Sequence, residues 1–485
     1  MNRFQFLCIA YACFGASFFG YDTSIAASVL AYESFIRYFE LSSISIGGIN
    51  SSYQAASAIG ALLNFYIPNR YGRVWTIRFA CIVSIVGVIL QTAAQNYPMF
   101  IVGRTAGGIA CGVMFSACPA YASELSPPNV RGRVGALYAL NITLSFLITQ
   151  LIGLGLYFVR GNVSWRLLFG LQFVPSIVLL IGSFWVAESP RWLCLKGRNA
   201  EALNTVRRLH GWAGVSEDEA DSQHYKEYTQ IRAQIEEEKT YTSSWHAIFS
   251  RPSYLKRFAL ICGFFFFQQF TGILPLAGYQ VIIYQMLGCD ALQSLVLTVV
   301  WGVVTTAGVV TCGFWLDKIG RKKALLLCYA AMIPSMAIII AFWIPFEAGG
   351  NRNLSLVKGI LVGMYLVCFT FSGVMNAFGP TYAAEIMPTE IRAAGLASGY
   401  FIFNALAIVL AQVTPIAIEQ ISWRYFLIFL IMDCIYIVIV FFFYIETKGL
   451  ALEHVGEAFG DAVARVEEGS EDSKKKTSDS TSAAR

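Results

Sequence analysis

Residues 119–132 read P-A-Y-A-S-E-L-S-P-P-N-V-R-G, and residues 380–393 read P-T-Y-A-A-E-I-M-P-T-E-I-R-A. The two stretches share a proline, a tyrosine, a glutamate, a second proline and an arginine at the same spacing. The pair Trp165-Arg166 recurs as Trp423-Arg424 at nearly the same separation. Two halves that keep a common register indicate a duplicated structure. In membrane proteins, duplication is typical of transporters whose halves move against each other.

The composition is that of a membrane protein. Hydrophobic residues make up 56% of the chain and charged residues 13%, well below the quarter or so that is usual in soluble proteins. Twelve apolar segments are long enough to cross about 30 Å of hydrocarbon as helices that rise about 1.5 Å per residue. They cover residues 4–30, 46–67, 76–95, 98–123, 134–158, 166–187, 257–287, 294–315, 323–346, 356–384, 393–418 and 423–445.

A polar stretch divides these segments into six and six. The sequence therefore predicts an all-α integral membrane protein with twelve transmembrane helices in two six-helix bundles. The bundles are expected over residues 1–187 and 257–445. Residues 188–256 are predicted to form a cytoplasmic linker with short amphipathic helices. Residues 446–485 have the composition of a largely disordered cytoplasmic tail.

Basic residues predict the orientation. They are concentrated in the loops on one side of the predicted membrane, at Arg70, Arg73, Arg131, Arg133, Lys318, Arg321, Lys322, Lys323 and Arg392. The loops on the opposite side hold few basic residues. By the positive-inside rule, we expect both termini to be cytoplasmic, in a multi-pass protein of the plasma membrane.

Several functional classes are disfavoured. The net charge of +5 is accounted for by the inner loops and gives no reason to expect a nucleic-acid partner. The twelve cysteines lie mostly in apolar segments without the spacing of a metal site. The sequence contains no nucleotide-binding loop and no nucleophile arrangement. We therefore expect no enzymatic activity, no catalytic residues, no metal and no cofactor. The expected partners are a small solute, protons and the lipid bilayer.

Seven short motifs occur in order from about Gly20 to about Glu457. They are G-Y-D-T at 20–23, G-R-x-x-G-G at 103–108, the stretch at 119–132, E-S-P-R-W-L at 188–193, Q-Q-F-T-G-I at 268–273, G-x-x-x-D-K-x-G-R-K at 313–322 and E-T-K-G at 446–449. Together they resemble the sugar porter family of the major facilitator superfamily, particularly its fungal hexose transporters. The resemblance implies the major facilitator fold and a proton-coupled symporter for a hexose or related polyol, working by alternating access.

Asp22 and Arg104 are candidates for proton coupling. A charged side chain within a membrane helix is costly unless it is paired, so each indicates function. The resemblance implies that the two residues lie together in the core of the first bundle. Protonation would neutralise Asp22 and release Arg104, and proton occupancy would then bias the conformational equilibrium. The alternative is a purely structural ion pair.

A second set of charges is expected at the cytoplasmic ends of the helices. There, carboxylate–guanidinium pairs would latch the two halves together, and the resemblance implies that such a network stabilises the outward-open state. The alternative for the basic members is simple positive-inside topology. The set comprises Glu124, Arg131, Glu188, Arg191, Asp317, Arg321, Glu385 and Arg392.

Three glutamines are the candidate substrate contacts. Gln150, Gln268 and Gln269 lie in predicted membrane helices, and an amide offers both donors and an acceptor to a neutral polyol. They match the sugar contacts of the family. The alternative is that they form interhelical contacts.

The sequence departs from the family pattern around this site. Leu274 stands where the family has an asparagine, Pro380 where it has a tryptophan, and Phe401 where a second tryptophan is expected. Leucine in place of asparagine removes hydrogen bonds to hydroxyl groups and makes the site more apolar. The departures therefore favour, as an alternative function, a carrier for another small metabolite, including a secondary metabolite. A sugar facilitator or sensor is a further alternative. Asp433 has no predicted partner; it is a second titratable group, a partner to a polar cavity or a neutral acid.

Overall fold

The computed structural model is built of α-helices. It describes residues 2–126, 130–210, 248–349, 353–387 and 389–448, together with Tyr228, Thr229, Arg232, Ala233, Ile235 and Phe459.

The first half of the chain folds into a helical bundle. Its helices are α1 (Arg3–Val29), α2 (Glu33–Tyr38), α3 (Ser43–Tyr71), α4 (Arg73–Thr92), α5 (Tyr97–Leu125), α6 (Arg131–Leu156), α7 (Val163–Gly170) and α8 (Phe173–Gly182). α1 packs along α5 and α6, and α3 and α4 pack on α5. Two short helices follow, α9 (Pro190–Leu195) and α10 (Asn199–His210).

The second half repeats this plan. Its helices are α11 (Pro252–Gln269), α12 (Ile273–Gly278), α13 (Gln280–Met286), α14 (Ala291–Ile319), α15 (Arg321–Ala348), α16 (Leu354–Ile386), α17 (Thr389–Ile421) and α18 (Arg424–Phe443). α15 packs along α16 and α18, α14 packs on α16, and α11 packs on α17. The predicted linker therefore contains α9, α10 and the start of α11, whereas the predicted tail lies mostly outside the described residues.

Local sequence explains where individual helices begin. The Asn96 side chain accepts from the N–H of Met99 at 2.9 Å and so caps the start of α5. Ser189 caps α9 in the same way, and Pro190 follows it at the first helical position, where its missing N–H costs nothing.

The prediction of twelve spans in two six-helix bundles is confirmed. Eleven spans of the described structure are long and apolar enough to cross a membrane, with α7 and α8 forming one span and α11 and α12 another. The twelfth is α3, which is 29 residues long but rich in serine and other polar residues. It packs between α5 and α17, so protein surrounds much of its length and it needs fewer apolar side chains than a lipid-facing helix.

The most extensive contacts between the halves are those of α3 with α17 and of α6 with α14. At the end remote from the N-terminus, Ser51 Oγ donates to Gln412 Oε1 at 2.7 Å. Gln412 Nε2 donates to the carbonyl of Ile44 at 3.3 Å, and the Ser43 hydroxyl donates to Glu419. In this structure the two bundles are therefore joined at that end.

Candidate functional site

The seventh span is interrupted at its middle. α11 ends at Gln269, and Gly272 adopts the left-handed conformation with φ of 77° before α12 begins. A Cβ on Gly272 would lie 2.7 Å from the Met336 side chain and 3.2 Å from the Phe429 ring. Both the conformation and the close packing therefore require glycine. Discontinuous membrane helices of this kind commonly form the substrate sites of transporters.

Buried amide groups lie around this break. Gln269 Nε2 donates to the carbonyl of Phe403 on α17 at 3.0 Å. Gln268 is buried on the same turn, and its Oε1 has no hydrogen-bond partner among the described residues. Gln280, at the start of α13, is also buried, and its Nε2 has no described partner. Sequence reasoning missed Gln280, although a third glutamine in one apolar span is a usable signal.

Gln150 lies where the two halves touch. It is fully buried on α6, and its Oε1 occupies the space that a Cβ on Gly302 of α14 would need. Neither amide atom of Gln150 has a hydrogen-bond partner among the described residues. Leaving buried amide groups unpaired costs about 1–3 kcal/mol for each group, and the Gln150 amide has a donor and an acceptor that no described residue satisfies.

Aromatic rings connect the halves beside these amides. Phe115 of α5 lies 6.3 Å from Tyr400 of α17 between ring centroids, and Tyr400 lies 4.7 Å from Phe265 of α11. On the first half, Phe19 packs against Phe115 at 4.4 Å. Phe401, which the sequence suggested for a ring at the site, is instead 59% exposed on the outside of the bundle.

Asp22 and Arg104 form a buried ion pair. Arg104 Nη1 donates to Asp22 Oδ1 at 3.0 Å, joining α1 to α5. Gln172, the residue just before α8, donates from Nε2 to the same oxygen at 2.7 Å. The Arg104 guanidinium stacks over the Tyr53 ring, 4.3 Å from its centroid. Asp22 Oδ2 has no hydrogen-bond partner among the described residues.

Sequence reasoning did not identify Gln172 or Tyr53 as neighbours of this pair. Gln172 is a polar residue inside a predicted span, which was a usable signal. Tyr53 gave none, because tyrosine is common in membrane helices and its contact depends on how α3 packs.

Charged side chains form a compact cluster at the end of the first bundle where the N-terminus lies. Arg73 Nη2 donates to Glu124 at 2.7 Å. Glu188 accepts from the backbone N–H of Arg73 at 2.9 Å and from that of Val74 at 3.2 Å, so it caps α4. Burial raises the pKa of Glu188, and these backbone donors oppose that rise by stabilising the carboxylate.

The second bundle builds an equivalent cluster. Arg321 Nη2 donates to Glu385 at 2.9 Å, and Glu446 accepts from the backbone N–H of Arg321 at 2.7 Å. Gly320 precedes the helix with φ of 100°, as Gly72 does with φ of 104° in the first bundle. The repeat seen in the sequence is therefore a repeated capping structure.

The described ion pairs of these clusters each join two helices of the same half. They do not cross between halves, as the expected latch would. Sequence reasoning missed Arg73 and Glu446 as cluster members, although each belongs to a recognisable motif. Arg191 lies partly buried on α9. The side chains of Arg131, Asp317 and Arg392 lie outside the described residues.

Comparison with known proteins finds transporters. The family profile described as sugar (and other) transporter matches residues 8–459. A high-affinity glucose transporter of Kluyveromyces lactis is 28% identical over 476 residues, covering 93% of this chain and 84% of that protein. The MFS-type transporter criB of Aspergillus cristatus is 30% identical over 448 residues, covering 91% of this chain and 90% of that protein.

Solved structures show the same fold. The proton:xylose symporter XylE bound to 6-bromo-6-deoxy-D-glucose matches with a TM-score of 0.75 at 22% identity, covering 94% of this chain and 99% of that one. XylE from E. coli in an inward-open conformation matches with the same TM-score at 21% identity, covering 94% and 99%.

Proposed function

This chain belongs to the sugar (and other) transporter family of the major facilitator superfamily, and on that basis we propose that it is a secondary transporter that carries a sugar or related polyol together with protons. Relatives named as glucose transporters support the choice of a sugar. The observation that carries the proton coupling is the buried pair of Asp22 and Arg104.

The pair offers a physical means of coupling. While Asp22 is charged, its attraction to Arg104 holds α1 against α5. A proton on Asp22 removes that charge and weakens the attraction, so the conformations with and without the pair change in relative free energy. α1 also contacts α12 and α13 of the second half. A shift of α1 would therefore reach the interrupted span that carries the candidate substrate contacts.

The amide groups supply the proposed substrate site. Gln150 reaches it from the first half, and Gln268 and Gln269 reach it from the second. A neutral polyol offers hydroxyl groups as donors and acceptors, which matches the unpaired amide atoms of Gln150 and Gln268. Binding at the contact between halves is the arrangement that alternating access requires.

We propose that both termini are cytoplasmic and that the protein lies in the plasma membrane. In that orientation, the bonds of Ser43 and Ser51 to the second half lie on the extracellular side and would hold it closed. Glu124, Glu188 and Glu385 would then brace the cytoplasmic ends of each half. We propose that residues 188–256 are the linker between the two bundles and that residues 446–485 are the tail.

A panel of labelled hexoses, pentoses, disaccharides and polyols tests the proposed substrate class. The protein is expressed in cells stripped of their own sugar carriers, and its amount at the surface is measured. We expect saturable uptake of at least one sugar or polyol. No uptake by protein shown to be at the surface would contradict a sugar or polyol substrate.

Gly302 should be essential for the position of Gln150. Replacing Gly302 by alanine places a Cβ where Gln150 Oε1 lies, so the amide must move away from bound solute. The loss of one or two hydrogen bonds predicts a rise in KM of about tenfold. Gly155→Ala on α6 is the matched control, because a Cβ there meets nothing within 4 Å. Equal KM values for both variants would count against Gln150 as a contact.

A second candidate function is the transport of a less hydroxylated metabolite, which Leu274 favours. This side chain packs against the hydrophobic core at the start of α12, beside the proposed site. We expect Leu274→Asn to lower the KM for hexoses by about tenfold through added hydrogen bonds. Leu274→Ala, which makes space without an amide, should not. An unchanged hexose KM in well-expressed Leu274→Asn would refute this account of specificity.

A further inference from the structure

A carboxylate is buried in the second bundle without a partner. Asp433 lies in the middle of α18 with 1% of its surface exposed. Neither carboxylate oxygen has a hydrogen-bond partner among the described residues, and it forms no ion pair with any of them. An isolated buried carboxylate is so costly that a group in this position is expected to bind a proton or a cation.

The groups around Asp433 are weak acids and carry no fixed charge. From α15, the facing titratable group is Tyr329, whose hydroxyl also has no described partner. The neighbouring hydroxyls are already occupied, since Tyr436 and Tyr444 bond to each other at 2.6 Å and Tyr444 donates to the carbonyl of Leu260 on α11 at 2.7 Å. Two turns before Asp433 on the same helix, the Tyr425 hydroxyl is paired with Thr414 of α17 at 2.8 Å.

This situation differs from that of the acid in the first bundle. Asp22 has a guanidinium at 3.0 Å and an amide at 2.7 Å, so it can stay charged while buried. Asp433 has no such cation among the described residues. Neutralisation by a proton is therefore the way for Asp433 to stay buried in the arrangement seen here.

Residues one turn on either side of Asp433 pack against the two parts of the interrupted seventh span. One turn before it, Phe429 fills the space beside Gly272, where a Cβ would lie 3.2 Å from the ring. One turn after it, Tyr436 stacks on Phe267 of α11 with ring centroids 4.4 Å apart. A movement of α11 against α12 would therefore displace the residues that flank Asp433 on α18 and change the surroundings of its carboxylate.

We propose that Asp433 is a second proton-binding site, located in the C-terminal half, that gains and loses its proton as the interrupted span rearranges. The carboxylate takes a proton from hydronium on one side, so an O–H bond of hydronium breaks as the carboxyl O–H bond forms. On the other side the carboxyl O–H bond breaks and the proton returns to water as hydronium, so no other reactant is needed. The inference rests on the proposed proton-coupled transport, because it adds a second proton to each transport cycle.

The number of charges moved per solute tests this inference. The purified full chain is reconstituted in proteoliposomes, and the ratio of charge to solute is measured from reversal potentials, with labelled glucose as the solute. We expect Asp433→Asn to move one charge fewer per solute than the natural protein. Asp290→Asn, which changes an exposed acid at the start of α14, should keep the natural ratio. An unchanged ratio in Asp433→Asn would overturn the proposal.

A chemical probe separates this inference from the proposed function. N,N′-dicyclohexylcarbodiimide adds to protonated carboxyl groups in apolar surroundings, and mass spectrometry locates the adduct. We expect labelling of Asp433 that falls as pH rises. If Asp433→Asn does not fold, Asp433→Glu replaces it as the test variant, and its carboxyl group should be labelled in the same pH-dependent way. Labelling that does not change with pH would mean a permanently neutral acid and would overturn the proposal, whether or not transport is proton-coupled.

Discussion

Replacement of Asp22 by asparagine is expected to abolish accumulation of solute against its gradient. Asparagine keeps the size of the side chain and its acceptor for Arg104 Nη1, which now lies at 3.0 Å, but it cannot bind and release a proton. Downhill exchange should survive, because exchange of labelled for unlabelled solute needs no change in protonation. The measurement compares uphill uptake with exchange in the same vesicles.

Asp22→Glu is the matched control, since it keeps an ionisable carboxyl group on α1. We expect it to retain part of the uphill uptake. Full accumulation by Asp22→Asn would contradict proton coupling through this residue, and the pair with Arg104 would then be structural.

Replacement of Arg104 by glutamine should destabilise the protein strongly. The guanidinium is 1% exposed and is the described cation beside Asp22. Removing one partner of a buried pair leaves an uncompensated charge, which typically costs about 3–5 kcal/mol. Thermal unfolding in detergent, followed by size-exclusion chromatography, should show a clear loss of the folded fraction for Arg104→Gln.

The double variant distinguishes charge from packing. Adding Asp22→Asn to Arg104→Gln removes the unpaired carboxylate and should restore most of the lost stability, although not the coupling. Arg37→Gln serves as a surface control, because the pair of Arg37 with Glu33 is exposed to solvent and should contribute little. Equal stability of Arg104→Gln and Arg37→Gln would contradict the assigned role of the buried pair.

The fold could be predicted from sequence because apolar length is a direct requirement of the bilayer. Even α3, which is less apolar than the other spans, was found from its length and position. Its polar residues are explained only by the structure, which sets α3 between α5 and α17. Such packing between halves is not visible in a linear sequence.

The candidate site was harder to predict, because side-chain direction changes by about 100° with each helical residue. Tyr400 faces the contact between halves, while its neighbour Phe401 is exposed on the outside. The same limitation affected the charges. The repeat identified Glu124 and Glu385, but their partners in the structure are Arg73 and Arg321 of the same halves.

These two clusters explain why the repeat is so clear in the sequence. In each half a glycine with positive φ ends one helix, and a glutamate from a later segment caps the next helix, at Glu188 and at Glu446. A tyrosine then fixes that segment, since Tyr121 donates to the carbonyl of Ala187 and Tyr382 to that of Ile445. These bonds tie helices of each half together, as the proposed alternating access requires.

The most direct test of the central claim is solute accumulation driven by protons alone. Proteoliposomes containing the purified protein are loaded with the same concentration of labelled sugar on both sides, and an inward proton gradient is then imposed. We predict a transient rise of internal sugar above the external concentration, which a protonophore removes and Asp22→Asn lacks. Sugar that exchanges across the membrane but never exceeds the external concentration would contradict proton-coupled symport.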